Sequence, residues 1–170
     1  PTTTIGSFPQ TPEVRKVRSQ WQKGGIPDSK YKETIKGFIA ECVRRQDELG
    51  LDILVHGEFE RADMVEYFAN HLKGFTPIKG EVQSYGTRLV RPPVITGLVE
   101  WQGPFTAEWI AYAQSLTEKP VKGMLTGPVT MVQWSYPRED ISKEAQFYDV
   151  ARAMAKELDA GDVIAAASLP

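Results

Sequence analysis

Three strand-like apolar runs each end in a short polar patch that carries a glycine, and each is followed by a helix-like run. The patches are Ile5-Gly6-Ser7, His56-Gly57-Glu58 and Thr126-Gly127-Pro128. This alternation limits the possible folds more than any other feature. Parallel strands must be joined by crossovers, usually helices, and their carboxyl ends then open on one face. Substrate-binding groups gather at that face in a parallel α/β barrel.

The rest of the chain follows the same alternation. Residues 2–5 are β-branched and read as a first strand. Val14, Val17 and Trp21 mark an amphipathic helix over 12–22. Asp28 or Ser29 can cap a long helix with the stripe Tyr31, Ile35, Phe38, Ile39, Cys42, Val43 and Leu49, stopped by Gly50. Residues 51–55 form a second, nearly all-apolar strand. Met64, Val65, Phe68 and Leu72 mark a short helix ended by Gly74. Residues 82–90 and 94–99 read as two strands around Arg91-Pro92-Pro93, an inserted hairpin or edge ribbon, because adjacent prolines remove ladder donors. Thr106 can cap a helix bearing Trp109, Ile110, Ala113 and Leu116, and 120–125 reads as a third parallel strand. Asp140 or Ser142 starts a helix with Tyr148, Ala151, Met154, Ala155 and Leu158 inward and Gly161 at its end. A fourth strand is predicted at 163–167.

The expected fold is α/β: the first four parallel strands of a partial (β/α)8 TIM barrel with an inserted β-hairpin at about 81–99. Residues 1–170 would then be one incomplete catalytic barrel domain. A closed barrel takes ~250 residues and rarely fewer than ~200, so four strands are half of one. The remaining half-barrel, or another copy, is expected to cover the open sheet edge. The chain begins on a strand with no initiator Met and reads as an excised piece of a longer protein.

The formal net charge is -2 with both signs mixed along the chain, which gives no support for a nucleic-acid surface. No run approaches the ~20 apolar residues that cross a bilayer. Cys42 is the single cysteine, which excludes an intrachain disulfide and suits a cytoplasmic setting. Walker, Gly-x-Gly-x-x-Gly, His-Glu-x-x-His and Gly-x-Ser-x-Gly motifs are missing from the sequence.

His56 and Glu58 flank a glycine, and in an extended chain i and i+2 face one side. Glu58 can bind a substrate ammonium or a metal, with His56 as base or orienting group, or the two can simply hydrogen-bond. Gly6 allows close backbone approach to a ligand, or marks a plain turn. Tyr85 and Arg88 on the predicted hairpin suit a conjugated ring bearing carboxylates, or form a solvated face. Trp134 can stack on a planar substrate or pack in the core. Asp63 and Glu66 read as helix-capping or solvated groups. His71 has no partner at ligand spacing.

Five stretches in order carry a family resemblance: residues 2–10, Val55-His56-Gly57-Glu58, residues 63–68, Val82-Gln83-Ser84-Tyr85-Gly86, and residues 122–130. Together they resemble the catalytic, C-terminal half of cobalamin-independent methionine synthase, in order, to about Leu158. The resemblance implies a β/α barrel that transfers a methyl group from 5-methyltetrahydrofolate polyglutamate to homocysteine to form methionine, without cobalamin. Zinc in that family binds the homocysteine sulfur as thiolate. By resemblance, Ile5, Gly6 and Ser7 would hold the amino-acid part of homocysteine, and Glu58 its ammonium. Arg88 and Leu89 would lie against the folate, and Trp134 would stack on the pterin.

The sequence also departs from the family. The histidine, two cysteines and glutamate that hold zinc there come from later strands, and Cys42 cannot replace them. The Asp-Glu-Pro-Ala pattern is replaced by Val163-Ile164-Ala165-Ala166-Ala167-Ser168. Leu89 stands where cysteine is common, and Ala62 where asparagine is. No methyl transfer is expected from this chain alone. The alternatives are a non-catalytic, self-associating half-barrel or a related barrel enzyme of the uroporphyrinogen decarboxylase type.

Overall fold

A computed structural model describes residues 1–78, 83–85 and 88–167, with side chains described for 1–78 and 90–161. In chain order the elements are α1 (Pro12–Gln22), α2 (Asp28–Glu48), α3 (Met64–His71), β1 (Leu72–Thr76), β2 (Gln83–Tyr85), β3 (Arg88–Val90), β4 (Val94–Trp101), α4 (Ala107–Gln114), α5 (Pro128–Gln133) and α6 (Lys143–Ala167). The chain is α/β and divides into two units. The first comprises Pro1–Ala62, Thr106–Met124 and Gly161–Pro170, and the second comprises Asp63–Phe105 and Leu125–Ala160.

In the first unit three segments lie side by side in parallel. Thr3 bridges to Ile53, and Leu54 bridges to Val121. Leu54 N donates to Pro120 O (2.9 Å), and Lys122 N donates to Leu54 O (2.8 Å). These are the first three predicted parallel strands in the expected order, joined by single bridges where longer ladders were expected. Helices α1, α2 and α4 supply the apolar cover, with Val14, Ile35, Ile39, Val43, Leu54 and Trp109 in one core cluster. Leu49, predicted on the α2 stripe, is 78% exposed, because the helix has reached its last turn there. Asp28 is the first residue of α2 and does not cap it; its carboxylate accepts from Trp21 Nε1 (2.5 Å), and Trp21 stacks on Tyr31 at 4.3 Å.

Buried Gln46 does what a neighbouring strand would do. Its amide oxygen accepts from Val55 N (3.0 Å), and its amide nitrogen donates to Val55 O (2.8 Å). Both peptide groups of Val55 are thereby satisfied where no strand is on hand to satisfy them.

In the second unit β4 pairs antiparallel with β1, Leu72 opposite Trp101 and Phe75 opposite Ile95. β2 and β3 form a small hairpin of their own, Gln83 opposite Val90. The sequence predicts that 82–90 and 94–99 flank one turn, but the 94–101 strand takes β1 as its partner. That strand follows α3 directly and was hidden behind Gly74. Asp63 caps α3, its Oδ1 accepting from Val65 N and Glu66 N at 2.9 Å each. Phe68, Ile95, Val99, Met131, Val150 and Met154 belong to one core cluster.

Helix α6 corrects two expectations. Its buried face carries Gln146, Val150, Ala153, Met154 and Glu157, while Tyr148 and Leu158 are exposed. A search for apolar residues missed this face because two of its members are polar. The second correction is the fourth strand, since 163–167 continues α6. Gly161 costs a helix about 1 kcal/mol relative to alanine, too little to stop one that runs on into Ala165-Ala166-Ala167, the best helix formers. Among the described residues no helix is long and apolar enough to cross a membrane.

Candidate functional site

Parallel pairing brings the segments after the first and second strands to one end of the first unit. Residues 6–10 and 56–61 meet there. Phe8 N donates to Gly57 O at 3.0 Å, and Gln10 Nε2 donates to Glu58 O at 3.2 Å. Buried Arg18 from α1 reaches the same turn, donating through Nη2 to Gln10 Oε1 (2.6 Å), Phe59 O (2.5 Å) and Arg61 O (3.2 Å). One guanidinium therefore satisfies two carbonyls of a tight turn.

The turn has an unusual backbone. Gly57 has φ of 89° and Glu58 a φ of 59°, Glu58 being the one non-glycine residue at positive φ among the described residues. Such a conformation costs a non-glycine residue about 1–3 kcal/mol and persists where its surroundings hold it. It also corrects the expectation for His56 and Glu58. The chain is not extended between them, so the two side chains do not pair. His56 instead meets Glu60, its Nε2 lying 3.2 Å from each carboxylate oxygen, with both side chains buried. His56 Nδ1 has no hydrogen-bond partner among the described residues. Burial pushes the Glu60 carboxyl up, but hydrogen bonding to His56 and the charges of His56 and Arg61 pull harder, leaving it below the usual carboxylate value. Tyr31 donates its hydroxyl to Glu60 O (3.2 Å), and burial raises its own phenol against the pull of Arg18.

The Glu58 carboxylate turns toward Gly6. A methyl group on Gly6 would lie 2.4 Å from Glu58 Oε1 and 2.9 Å from Met124 Cε, so only glycine leaves room for both. Glu58 Oε2 accepts from Arg61 Nε at 2.9 Å. Arg61, buried, also donates from Nη2 to Met124 O (3.2 Å), and its Nη1 lies 3.7 Å from Glu60 Oε1. Of the predicted residues here, Gly6 is buried against the Glu58 carboxylate, whereas Ile5 and Ser7 are exposed. Sequence reasoning missed Arg61, Glu60 and Gln46. For Glu60 and Arg61 the charges clustered just past the end of the second strand were the available signal.

In the second unit, Trp134 caps α5 and packs partly buried on the core cluster. His71 Nδ1 lies 2.7 Å from Tyr67 O, and its ring stacks on Phe105 at 4.9 Å. Burial holds the Glu66 carboxyl above its usual value, against the pull of Arg91. Arg88 and Leu89 are in β3 by backbone, and their side chains lie outside the described residues, as do those of Ser84 and Tyr85. Among the described residues no three His, Cys, Asp or Glu side chains come together to hold a metal. The groups among the described residues therefore do not fit a zinc site.

Comparison with known proteins adds to this geometry. Residues 1–166 match the family model described as "Cobalamin-independent synthase, Catalytic domain". A 5-methyltetrahydropteroyltriglutamate–homocysteine methyltransferase of Thermotoga sp. (strain RQ2) is 58% identical over 159 residues, covering 93% of this chain and 22% of the relative. A protein of the same name from Proteus mirabilis (strain HI4320) is 54% identical over 160 residues, covering 94% and 21%. The chain thus spans about a fifth of the length of the curated relatives it matches. Among solved structures, the B12-independent methionine synthase from Shewanella sp. W3-18-1, in complex with selenomethionine, superposes with a TM-score of 0.79 at 23% identity, covering 96% of this chain and 48% of that one. The putative vitamin-B12 independent methionine synthase from Listeria monocytogenes gives 0.71 at 21% identity, covering 94% and 47%. At these identities the two structures bear on the fold.

Proposed function

The chain belongs to the cobalamin-independent synthase family, within its catalytic domain, and we propose that it is the part of a homocysteine methyltransferase that grips the amino-acid end of homocysteine. The methyl donor in this reading is 5-methyltetrahydrofolate polyglutamate and the product is methionine. One observation carries it: in a segment matching named methyltransferases, a carboxylate is pressed against a glycine at the end of parallel strands, with one oxygen left open.

The chemistry follows from that placement. Glu58 Oε1 has no hydrogen-bond partner among the described residues, and an ammonium would supply one. A charge-assisted hydrogen bond of this kind is about twice as strong as a neutral one. The backbone of Ile5, Gly6 and Ser7 would line the adjoining face, where the lack of a Gly6 side chain permits close approach. Arg88 and Leu89 would meet the folate and Trp134 the pterin ring, by resemblance to the family. The three parallel segments would be the first strands of a β/α barrel completed by a remaining half-barrel or another copy. Zinc, if it activates the sulfur as the resemblance implies, would take its ligands from outside the described residues. The reading places the protein in the cytoplasm and gives this chain alone no methyl-transfer activity.

The test is Glu58→Gln in the full methyltransferase, assayed with homocysteine and 5-methyltetrahydropteroyltriglutamate. The KM for homocysteine should rise about tenfold or more, while the KM for the folate stays unchanged. An unchanged homocysteine KM would overturn the assignment.

A further inference from the structure

A carboxylate that receives a substrate ammonium must keep its charge and its direction before the substrate arrives. Glu58 is poorly placed to do this alone. Its backbone has a φ of 59°, and its side chain is only 15% exposed. The group that fixes it is Arg61, three residues on, whose side chain is 4% exposed. Nε holds Glu58 Oε2 at 2.9 Å, while Nη2 is anchored on Met124 O at 3.2 Å. The guanidinium is planar, so anchoring one edge sets the direction of the other.

We infer that Arg61 is a positioning residue for the ammonium site: it occupies Glu58 Oε2 and so presents Oε1 toward Gly6 for the amino group of the substrate. This rests on the reading of Glu58 proposed above.

The local charges make the arrangement workable. A lone buried arginine would neutralise Glu58 and weaken its hold on a cation. Here Arg61 lies between two carboxylates, with Glu60 Oε1 at 3.7 Å from Nη1, and Glu60 is held ionised. Arg61 is thus shared between two carboxylates, and Glu60 has His56 as a further partner. Lysine cannot reproduce the effect, since a point charge can approach Glu58 or Met124 O but does not bridge them in a fixed plane.

The experiment is calorimetric titration of the full protein with L-methionine and with 4-(methylthio)butanoate, which is methionine without its amino group. The wild-type protein should prefer methionine by about tenfold or more. Glu58→Gln should abolish that preference. Arg61→Lys and Arg61→Leu should each weaken methionine about tenfold and leave 4-(methylthio)butanoate unchanged. If both Arg61 variants keep the preference while Glu58→Gln loses it, the Glu58 reading stands and the role of Arg61 falls. If the Arg61 variants weaken both ligands equally, Arg61 is merely structural and the inference falls. If Glu58→Gln keeps the preference, the underlying reading fails and takes this inference with it. Should Arg61→Leu fail to fold, Arg61→Lys, which keeps charge and most of the volume, decides the matter.

Discussion

Both units bury polar side chains, but they use them differently. In the second unit Glu157 and Gln146 tie neighbouring segments, mostly through backbone groups, to α6. Glu157 accepts from Trp101 Nε1 (2.7 Å) and Phe105 N (3.1 Å), and Gln146 accepts from Arg138 N (2.8 Å) and donates to its carbonyl (3.0 Å). These are structural ties that close loops onto a helix. In the first unit His56, Glu60, Arg61 and Glu58 bond to one another in series. Desolvating such ions costs several kcal/mol each, and their mutual attraction offsets that cost only where the geometry is good. A fold that needed stability alone would gain little from this arrangement. The contrast supports the proposal that these four buried groups of the first unit serve a site, while Glu157 and Gln146 in the second serve packing.

The two glycines Gly74 and Gly6 offer the sharpest way to break that contrast. Gly74 has φ of 88°, and a methyl there would lie 2.4 Å from Leu98 O, a backbone atom that cannot swing away. Gly74→Ala should lower unfolding stability by roughly 3 kcal/mol, combining strain at positive φ with overpacking. Urea denaturation measures it, and a loss below about 1 kcal/mol would contradict the structure. Gly6→Ala meets side-chain atoms of Glu58 and Met124 and no backbone atom among its nearest contacts. It should cost less stability than Gly74→Ala, yet raise the homocysteine KM about tenfold, because the carboxylate must move. If stability and not KM changes, the first unit is no more a site than the second.

The smallest effect sharpens the electrostatic side. The Glu60 carboxyl sits below its usual value in the folded protein. Its ionised form therefore contributes stability that is complete above the ordinary glutamate pKa of about 4.3 and is lost as pH falls through the lower folded value. Glu60→Gln should be less stable than wild type by about 1 kcal/mol at pH 7. The gap should close on acidification below about pH 4. A gap that persists unchanged into acid would mean that the loss comes from shape and not from charge.

Some of this could be read in the chain as written. The 3.6-residue spacing of Tyr31, Ile35, Ile39, Cys42 and Val43 gave α2 its buried face, and each of the five is buried. The parallel pairing of the first three segments followed from β/α alternation. The site residues Gly6 and Glu58 come together as strand ends should, in the same unit. Other features could not be read. The partner of His56 changed from Glu58 to Glu60 because two successive residues with positive φ turn the chain, and side-chain alternation holds only where a strand is straight. Gln46 and Arg61 were passed over because a buried amide or guanidinium has no periodic signature. The 163–167 helix was misread because Val163 and Ile164 were weighed without the long helix already running into them.

Local spacing determines which stretches become helix or strand, since each choice is made within a turn or two of backbone, and five short motifs in order were enough to indicate the family. Only the assembled fold decided which carboxylate faces Gly6, that Arg61 lies between Glu58 and Glu60, and which strand β4 pairs with. Those choices depend on groups tens of residues apart meeting at hydrogen-bonding distance, and no local pattern encodes the desolvation and Coulomb energies that select among them.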